Sequence, residues 1–242
     1  FLIYLILNWK ESPRPFMWLI LVSAFFLIGL KRIAFPAVAM GLLAALLLRL
    51  LPEKTARQTA LCMAVAMIVV SFLYIAGIRY GLFQFLEDHL GIDTKSREAL
   101  FANVAPYYDI NFTYMGMGTG FERFVDWFNG VEYSIPLRSQ TQIHNDFLRM
   151  YLNIGFIGYF VWVWSWLIVR LRYWFHQGGK DAGCLFLGIC IYCFVLYATD
   201  NTIYYPYTMI ACSLVPMSCH LDTLAKARLE QQCIQWSGGE QL

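Results

Sequence analysis

Charged residues are scarce in this sequence, and their scarcity excludes an ordinary soluble domain. Asp, Glu, Lys and Arg make up 14% of the 242 residues, whereas a soluble domain typically carries about 25%. Apolar residues make up 59%, and the mean hydropathy is +0.53. The net charge of +2 is too small to indicate nucleic-acid binding. The composition predicts an integral membrane protein, with the lipid bilayer as a partner.

Cysteine is absent between residues 78 and 146, a long stretch that has no apolar run of membrane length. The cysteines lie instead in apolar segments or near the C-terminus, which argues against a disulfide framework of the secreted type. Cys190 and Cys193 have C-x-x-C spacing, but in an apolar helix this spacing merely places two small residues on one face. The same stretch has no Asp-x-Asp motif and no His/Cys cluster, so we expect neither a metal nor another cofactor.

Apolar runs define the predicted fold, because about 20 apolar residues in a helix cross a ~30 Å hydrocarbon core. The first residues of the chain are interpreted as the end of one more span, so we expect a C-terminal fragment of a longer protein. The predicted fold is all-α and integral to the membrane: a polytopic helical bundle forming a single membrane domain over residues 1–242. Its spans are predicted at 1–8 (partial), 16–30, 33–51, 60–77, 147–169, 183–199 and 202–219.

Basic residues predict which side of the membrane each connection occupies. They cluster in alternate connections, and such connections are cytoplasmic by the positive-inside rule. Lys31 and Arg32 are the exception, since this topology places them outside. Residues 78–146 are then one long periplasmic loop, and residues 220–242 are a cytoplasmic tail. The clusters that set this topology are Lys10 and Arg14; Arg49, Lys54 and Arg57; Arg170, Arg172 and Lys180; and Lys226 and Arg228.

The long loop is net acidic, so an anion there must be bound by individually placed cations such as Arg79, Arg97 and Arg138. Residues 80–89 have the spacing of an amphipathic helix on the membrane surface, and residues 96–104 have that of a second helix. The loop's many aromatic residues fit either an interfacial belt or stacking on sugar rings. The glycines at 116, 118 and 120 indicate a tight turn, since the Lys-Ser/Thr of a nucleotide-binding loop is missing.

The loop ends with a group of polar residues directly before the apolar run 147–169. Asn145 or Asp146 is predicted to cap the helix that follows. His144 and Arg149 lie beside them in the sequence, and polar groups at a hydrocarbon boundary are costly and usually functional. Further along the run, Gly155 and Gly158 are predicted to let a neighbouring helix approach closely.

Several of these features together resemble the O-antigen ligase and polymerase superfamily over about residues 79–160. The resemblance rests on an Arg before a short helix, a Gly-x-Gly turn, a His-Asn start to a span and a Gly-x-x-Gly. In this sequence these are Asp93-Thr-Lys-Ser-Arg97-Glu-Ala-Leu-Phe101, Gly116-Met-Gly118-Thr-Gly120, His144-Asn-Asp-Phe-Leu148 and Asn153-Ile-Gly155-Phe-Ile-Gly158. The Glu or Gln that usually precedes the last motif is Asn153 here.

The resemblance implies a metal-independent glycosyltransferase of the bacterial inner membrane, with a helical fold like that of class C glycosyltransferases. Such enzymes take a glycan from undecaprenyl diphosphate on the periplasmic side and pass it to an acceptor glycan, lipid or protein. Carried over, Arg97 and His144 are the catalytic residues. Arg79, Arg138, Asn145 and Asp146 are the candidates for substrate binding. A chain-length regulator protein is a further expected partner.

Three classes of function remain open at this stage: a glycan transferase, a glycolipid transporter and a non-catalytic subunit. Polymerisation of lipid-linked repeat units is favoured over ligation to lipid A core or protein, because the loop lacks a basic acceptor-binding tract. A glycolipid transporter would need ionisable residues near mid-membrane and internal repeats, and the sequence has neither. A non-catalytic assembly subunit would use the loop for docking and would tolerate substitution of His144.

Overall fold

The computed structural model is mostly helical in the residues that it describes. These are residues 2–10, 14–28 (without the side chains of 25, 26 and 28), 32–91, 101–102, 104–117, 145–200, 202, 210, 212–218, 221, 224–225 and 228. No β-strand occurs among them, as expected for an all-α membrane protein. Arg97, Arg138, His144 and most of the helix predicted at 96–104 lie outside the described residues, as does most of 202–242.

Residues 212–218 are helical, and eight other α-helices with the following bounds form the main architecture of the described part of the chain. They are α1 (Leu2–Leu7), α2 (Pro15–Ile28), α3 (Ala34–Leu50), α4 (Glu53–Arg79), α5 (Leu82–Leu90), α6 (Asp146–Trp164), α7 (Arg170–Gln177) and α8 (Gly179–Thr199). A 3-10 turn spans Ala105–Tyr107, and a π-helical turn at Ser165–Val169 joins α6 to α7.

Three helical stretches in the described part of the chain are long and apolar enough to cross a membrane. They are Glu53–Arg79, Asp146–Gln177 and Gly179–Thr199. The runs predicted at 60–77, 147–169 and 183–199 fall within them. Two shorter apolar helices lie at Pro15–Ala24 and Ala34–Leu50. The sides of the membrane that the connections face, and the division of 1–242 into spans, stay predictions.

The amphipathic helix predicted after Arg79 is confirmed as α5. A left-handed glycine stands at each end of it, Gly81 with φ +80° and Gly91 with φ +61°, and both conformations favour glycine. None of its side chains is buried, and its apolar face includes the exposed Leu82, Phe85 and Leu90. An exposed apolar face on a short helix fits a position at the membrane surface, which stays a prediction.

The chain divides into two compact units. The first comprises Phe1–Cys62, Val169–Cys193 and Tyr205–Leu242, and the second comprises Met63–Ile168 and Phe194–Tyr204. In the first unit Arg49, at the end of α3, forms an ion pair of 2.9 Å with Asp181 and donates a hydrogen bond to the Leu7 carbonyl oxygen. Lys180 donates to the Arg49 carbonyl oxygen at 2.6 Å. These polar contacts join α1, α3 and the start of α8.

Glycines bring α3 and α8 into direct backbone contact in the first unit. A Cβ atom on Gly188 would lie 2.7 Å from the Gly41 carbonyl oxygen and 3.1 Å from the Ala45 Cβ atom. A Cβ atom on Gly41 would in turn overlap the Gly188 carbonyl oxygen. Small residues at helix contacts of this kind allow close packing within a membrane.

We expect Gly188→Ala to destabilise the protein by about 1–3 kcal/mol, because the added methyl group has no space between the two helices. The measurement is the thermal unfolding midpoint of the purified protein in detergent. Gly41→Ala should have a similar effect, and the double variant should lose less than the sum because both changes disrupt the same contact. An unchanged midpoint in both single variants would show that this helix contact is wrong.

Candidate functional site

Helix α6 is broken at Gly155, and the break organises the second unit around it. Gly155 has φ +70° and ψ −174°, a conformation that is essentially restricted to glycine. The predicted role of Gly155 and Gly158, the close approach of a neighbouring helix, is wrong for these residues. Gly155 instead faces the backbone of residues 114–116, and the space beside Gly158 is taken by the Ile154 side chain of the same helix.

The segment Tyr114–Met117 is hydrogen-bonded into this break, and we call the junction the loop clamp. Met117 donates its backbone N–H to the Leu152 carbonyl oxygen at 2.7 Å, and Phe156 donates to the Tyr114 carbonyl oxygen at 2.9 Å. Gly116, with φ +77°, lies so close to Gly155 that a Cβ atom on either would overlap the other's backbone. Gly116 thus needs a glycine conformation, but the backbone at 114–117 forms no regular turn, and residues 118–120 lie outside the described part.

Tyrosine side chains fix the loop above the clamp. The Tyr108 hydroxyl donates to the Ile75 carbonyl oxygen at 3.0 Å, and the Tyr151 hydroxyl donates to the Asp109 carbonyl oxygen at 2.7 Å. The Tyr114 ring stacks on the Tyr151 ring with centroids 5.4 Å apart. Burial raises the pKa of Tyr108, with the Arg79 guanidinium acting in the opposite direction, and burial raises the pKa of Tyr114 to about 12. Both phenols are therefore protonated donors at neutral pH.

Arg79 is held by this fixed loop. Its Nε donates to the Tyr108 carbonyl oxygen at 2.9 Å, and its guanidinium carbon lies 6.0 Å from the centre of the Tyr80 ring. Its two terminal nitrogens have no hydrogen-bond partner among the described residues. A guanidinium that is anchored at Nε presents the opposite edge in a fixed direction, and that edge suits two oxygens of a phosphate group.

Polar side chains are packed at the start of α6. Of the two predicted caps, Asn145 and Asp146, the structure has Asn145 as the N-cap. Its Oδ1 accepts a hydrogen bond from the Leu148 N–H at 3.0 Å. The Asp146 carboxylate lies 3.4 Å from Nη1 of Arg149. Asn145 and Asp146 are 0% exposed and Arg149 is 7% exposed. Burying charged groups is costly even when they are paired, and polar groups at a membrane boundary are usually functional, so this end of α6 is a candidate site.

The structure thus places three of the six predicted site residues in the second unit. Arg79 lies at the fixed loop, whereas Asn145 and Asp146 lie at the start of α6. Arg97, Arg138 and His144 lie outside the described part of the chain. Sequence analysis placed Arg149 in the polar group at the start of this helix but gave it no specific role. The hydrogen bond between Arg79 and the Tyr108 backbone carbonyl could not be predicted from sequence, because every residue has such a carbonyl.

No group of three or more His, Cys, Asp or Glu side chains that might ligate a metal ion occurs in the part of the chain that the structure describes. The arrangement that is present offers an anchored cation, a polar helix start and a loop locked between helices.

A family model described as O-Antigen ligase matches residues 16–163, which is more than half of the chain and includes the loop clamp. Neither the curated proteins nor the solved structures contain a match.

Proposed function

The chain belongs to the O-antigen ligase family, and from that premise we propose that it polymerises lipid-linked oligosaccharide repeat units into a surface polysaccharide. Members of this family are glycosyltransferase-like enzymes of polysaccharide assembly, and membership implies a membrane and a lipid-linked glycan substrate. The proposed donor is an undecaprenyl-diphosphate-linked oligosaccharide, used at the periplasmic face of the bacterial inner membrane. The proposed acceptor is a second glycan, and a chain-length regulator is a proposed partner.

The anchored guanidinium of Arg79 carries this proposal. Negative charge develops on the diphosphate as the bond between sugar and phosphate breaks. A fixed guanidinium that is already oriented stabilises that charge without reorganising at the moment of reaction. The Tyr108 carbonyl oxygen supplies the orientation, because it holds Arg79 at Nε. This arrangement supports a transfer that uses arginines for the leaving group, and Arg97 and Arg138 are proposed to join Arg79 in binding the diphosphate.

His144 is proposed to act on the attacking hydroxyl group. An imidazole near neutral pH accepts a proton from such a hydroxyl as the new glycosidic bond forms. The residue lies at the end of the long loop and directly precedes the cap Asn145. Asn145 and Asp146 are proposed to bind substrate beside it. The proton passes from the acceptor to His144, while the electron pair of the broken bond leaves with the diphosphate.

Ligation to lipid A core or to protein is the second candidate function, since the matching family model is described by its ligase members. Polymerisation is preferred because residues 78–146 are net acidic and contain no basic tract for an anionic lipid acceptor. Both functions share the donor and the leaving group. They differ only in what supplies the attacking hydroxyl.

The test is the glycan pattern of cells that lack the endogenous gene and carry the full-length protein. We expect His144→Ala and Arg97→Ala to abolish the product at matched protein levels in the membrane. The matched controls are His176→Ala and Arg172→Ala, because both side chains are exposed on α7. A lost ladder of polymer lengths would identify a polymerase, whereas lost transfer of a whole glycan to its carrier would identify a ligase. Parental patterns in both site variants would overturn the catalytic roles.

A further inference from the structure

Polar residues recur every four positions along the first half of α6. Asn145, Arg149 and Asn153 follow one another at this spacing and Asp146 lies beside the first of them. Four residues make slightly more than one helical turn, so these side chains share one face over a length of about 12 Å. The face begins at the helix cap and ends next to the break at Gly155. We call these four residues the polar stripe.

The buried atoms Nδ2 of Asn145 and Oδ1 of Asn153, at the two ends of the polar stripe, lack a hydrogen bond within the described part of the chain. The Asn145 amide has a defined orientation, because its Oδ1 must face the Leu148 N–H in order to cap the helix. Its Nδ2 is therefore a buried donor. Leaving such an atom without a partner costs about 1–3 kcal/mol, so a natural ligand that supplies the partner is favoured.

The mixture of groups in the polar stripe selects the chemical class of that ligand. Asn145 Nδ2 is a donor and Asn153 Oδ1 is an acceptor, whereas Asp146 and Arg149 between them are paired with each other. A phosphate group only accepts hydrogen bonds, so it would leave Asn153 Oδ1 unsatisfied, and the Asp146 carboxylate would repel it. A sugar hydroxyl both donates and accepts, so the hydroxyls of a glycan can satisfy the donor at one end of the stripe and the acceptor at the other.

We propose that the polar stripe binds the hydroxyl groups of the glycan that is transferred, with Asn145 Nδ2 and Asn153 Oδ1 each contacting a sugar hydroxyl. This proposal rests on the proposed function, and it assigns Arg149 and Asn153 to the site for the first time. Arg149 is a positioning residue that holds the Asp146 carboxylate within the stripe. The leaving diphosphate is bound elsewhere, by arginines such as Arg79.

Asn153→Leu tests the lower end of the stripe. Leucine has nearly the size of asparagine but removes a buried acceptor that lacks a partner, so the unfolding midpoint should stay constant or rise. The KM is measured with the full-length protein in lipid nanodiscs and with lipid-linked glycan extracted from the host. It should rise about tenfold, because the variant loses one hydrogen bond to the glycan. Asn153→Gln, which keeps the amide oxygen, should recover part of the loss. A lowered midpoint with an unchanged KM would indicate a structural role and overturn the assignment.

Asn145→Ser tests the upper end and separates capping from binding. Serine caps helices about as well as asparagine does, but it lacks the Nδ2 donor. The unfolding midpoint should therefore stay near that of the parent, while the KM for the lipid-linked glycan rises about tenfold, as expected for the loss of one hydrogen bond. Asn145→Asp is not a suitable substitute, because its buried carboxylate beside Asp146 would itself lower the stability.

Binding of lipid-free oligosaccharide distinguishes this proposal from the proposed function. The probe is released by mild acid from the host's lipid-linked glycan, and its contact with the protein is followed by saturation-transfer NMR. If the parent transfers glycan and both stripe variants keep its KM and its oligosaccharide signal, the stripe assignment is overturned and the proposed function stands. If the parent transfers nothing but the signal is lost in both variants, the stripe assignment stands and the proposed function is overturned.

Discussion

Arg79→Ala is expected to lower glycan transfer by about 100-fold or more. Removing one oriented donor from a site where charge develops typically has an effect of this size. The guanidinium is held at Nε by the Tyr108 carbonyl oxygen, so its terminal nitrogens have a fixed direction. A neighbouring side chain is therefore not expected to take their place. The measurement is the single-turnover rate with lipid-linked donor in nanodiscs. Arg79→Lys should restore only part of the rate, since an ammonium group keeps the charge but lacks the planar fork.

The matched control is Arg57→Ala, at the opposite end of α4. Arg57 is exposed and lies in the first unit, so its replacement should leave the rate within about twofold of the parent, as for most changes away from such a feature. If Arg79→Ala transfers glycan at the parental rate, the guanidinium does not bind the diphosphate, and its contact with Tyr108 is purely structural. Full recovery by Arg79→Lys would mean that the transfer rate depends on the positive charge at this position and not on bidentate hydrogen bonding by the guanidinium.

The fold was predictable where local sequence decides structure. The apolar runs inside α4, α6 and α8 are long enough to be recognised without any tertiary information. The cap Asn145 was one of two predicted alternatives, because its side chain bonds to a backbone group only three residues away. The amphipathic spacing of α5 was likewise local. In each case the residues that determine the structure lie within a few turns of one another.

The site was predictable only in part, because its contacts join residues far apart in the chain. Gly155 in an apolar helix fits close helix packing as well as a break, and only the partner segment at Tyr114–Met117 decides between them. The Tyr114 hydroxyl and its acceptor Leu152 are 38 residues apart, and Arg79 is 29 residues from Tyr108. Arg79 was proposed from its position at the end of a span. Its anchoring by a backbone carbonyl carries no signature in residue type.

The same long-range contacts explain why the break in α6 is stable. A break in a membrane helix leaves backbone groups that cannot bond to water in the hydrocarbon core, so neighbouring protein has to satisfy them. The segment Tyr114–Met117 does this with one donor and one acceptor of its own backbone. The long loop is thereby tied to α6 directly below the polar stripe. The geometry of the stripe therefore depends on the loop clamp.

Gly155→Ala is expected to release the loop clamp and abolish transfer. The φ of +70° with ψ −174° costs a residue with a side chain roughly 1–3 kcal/mol, and the new methyl group would also overlap the Tyr114 carbonyl oxygen. The control Gly179→Ala also has a φ of +70° but open space around it, so it shows the cost of a side chain at positive φ without the overlap. In unfolding measurements Gly155→Ala should lose clearly more stability than Gly179→Ala, and it alone should lose transfer. Equal losses in the two variants, with transfer retained in both, would mean that the clamp does not hold the site.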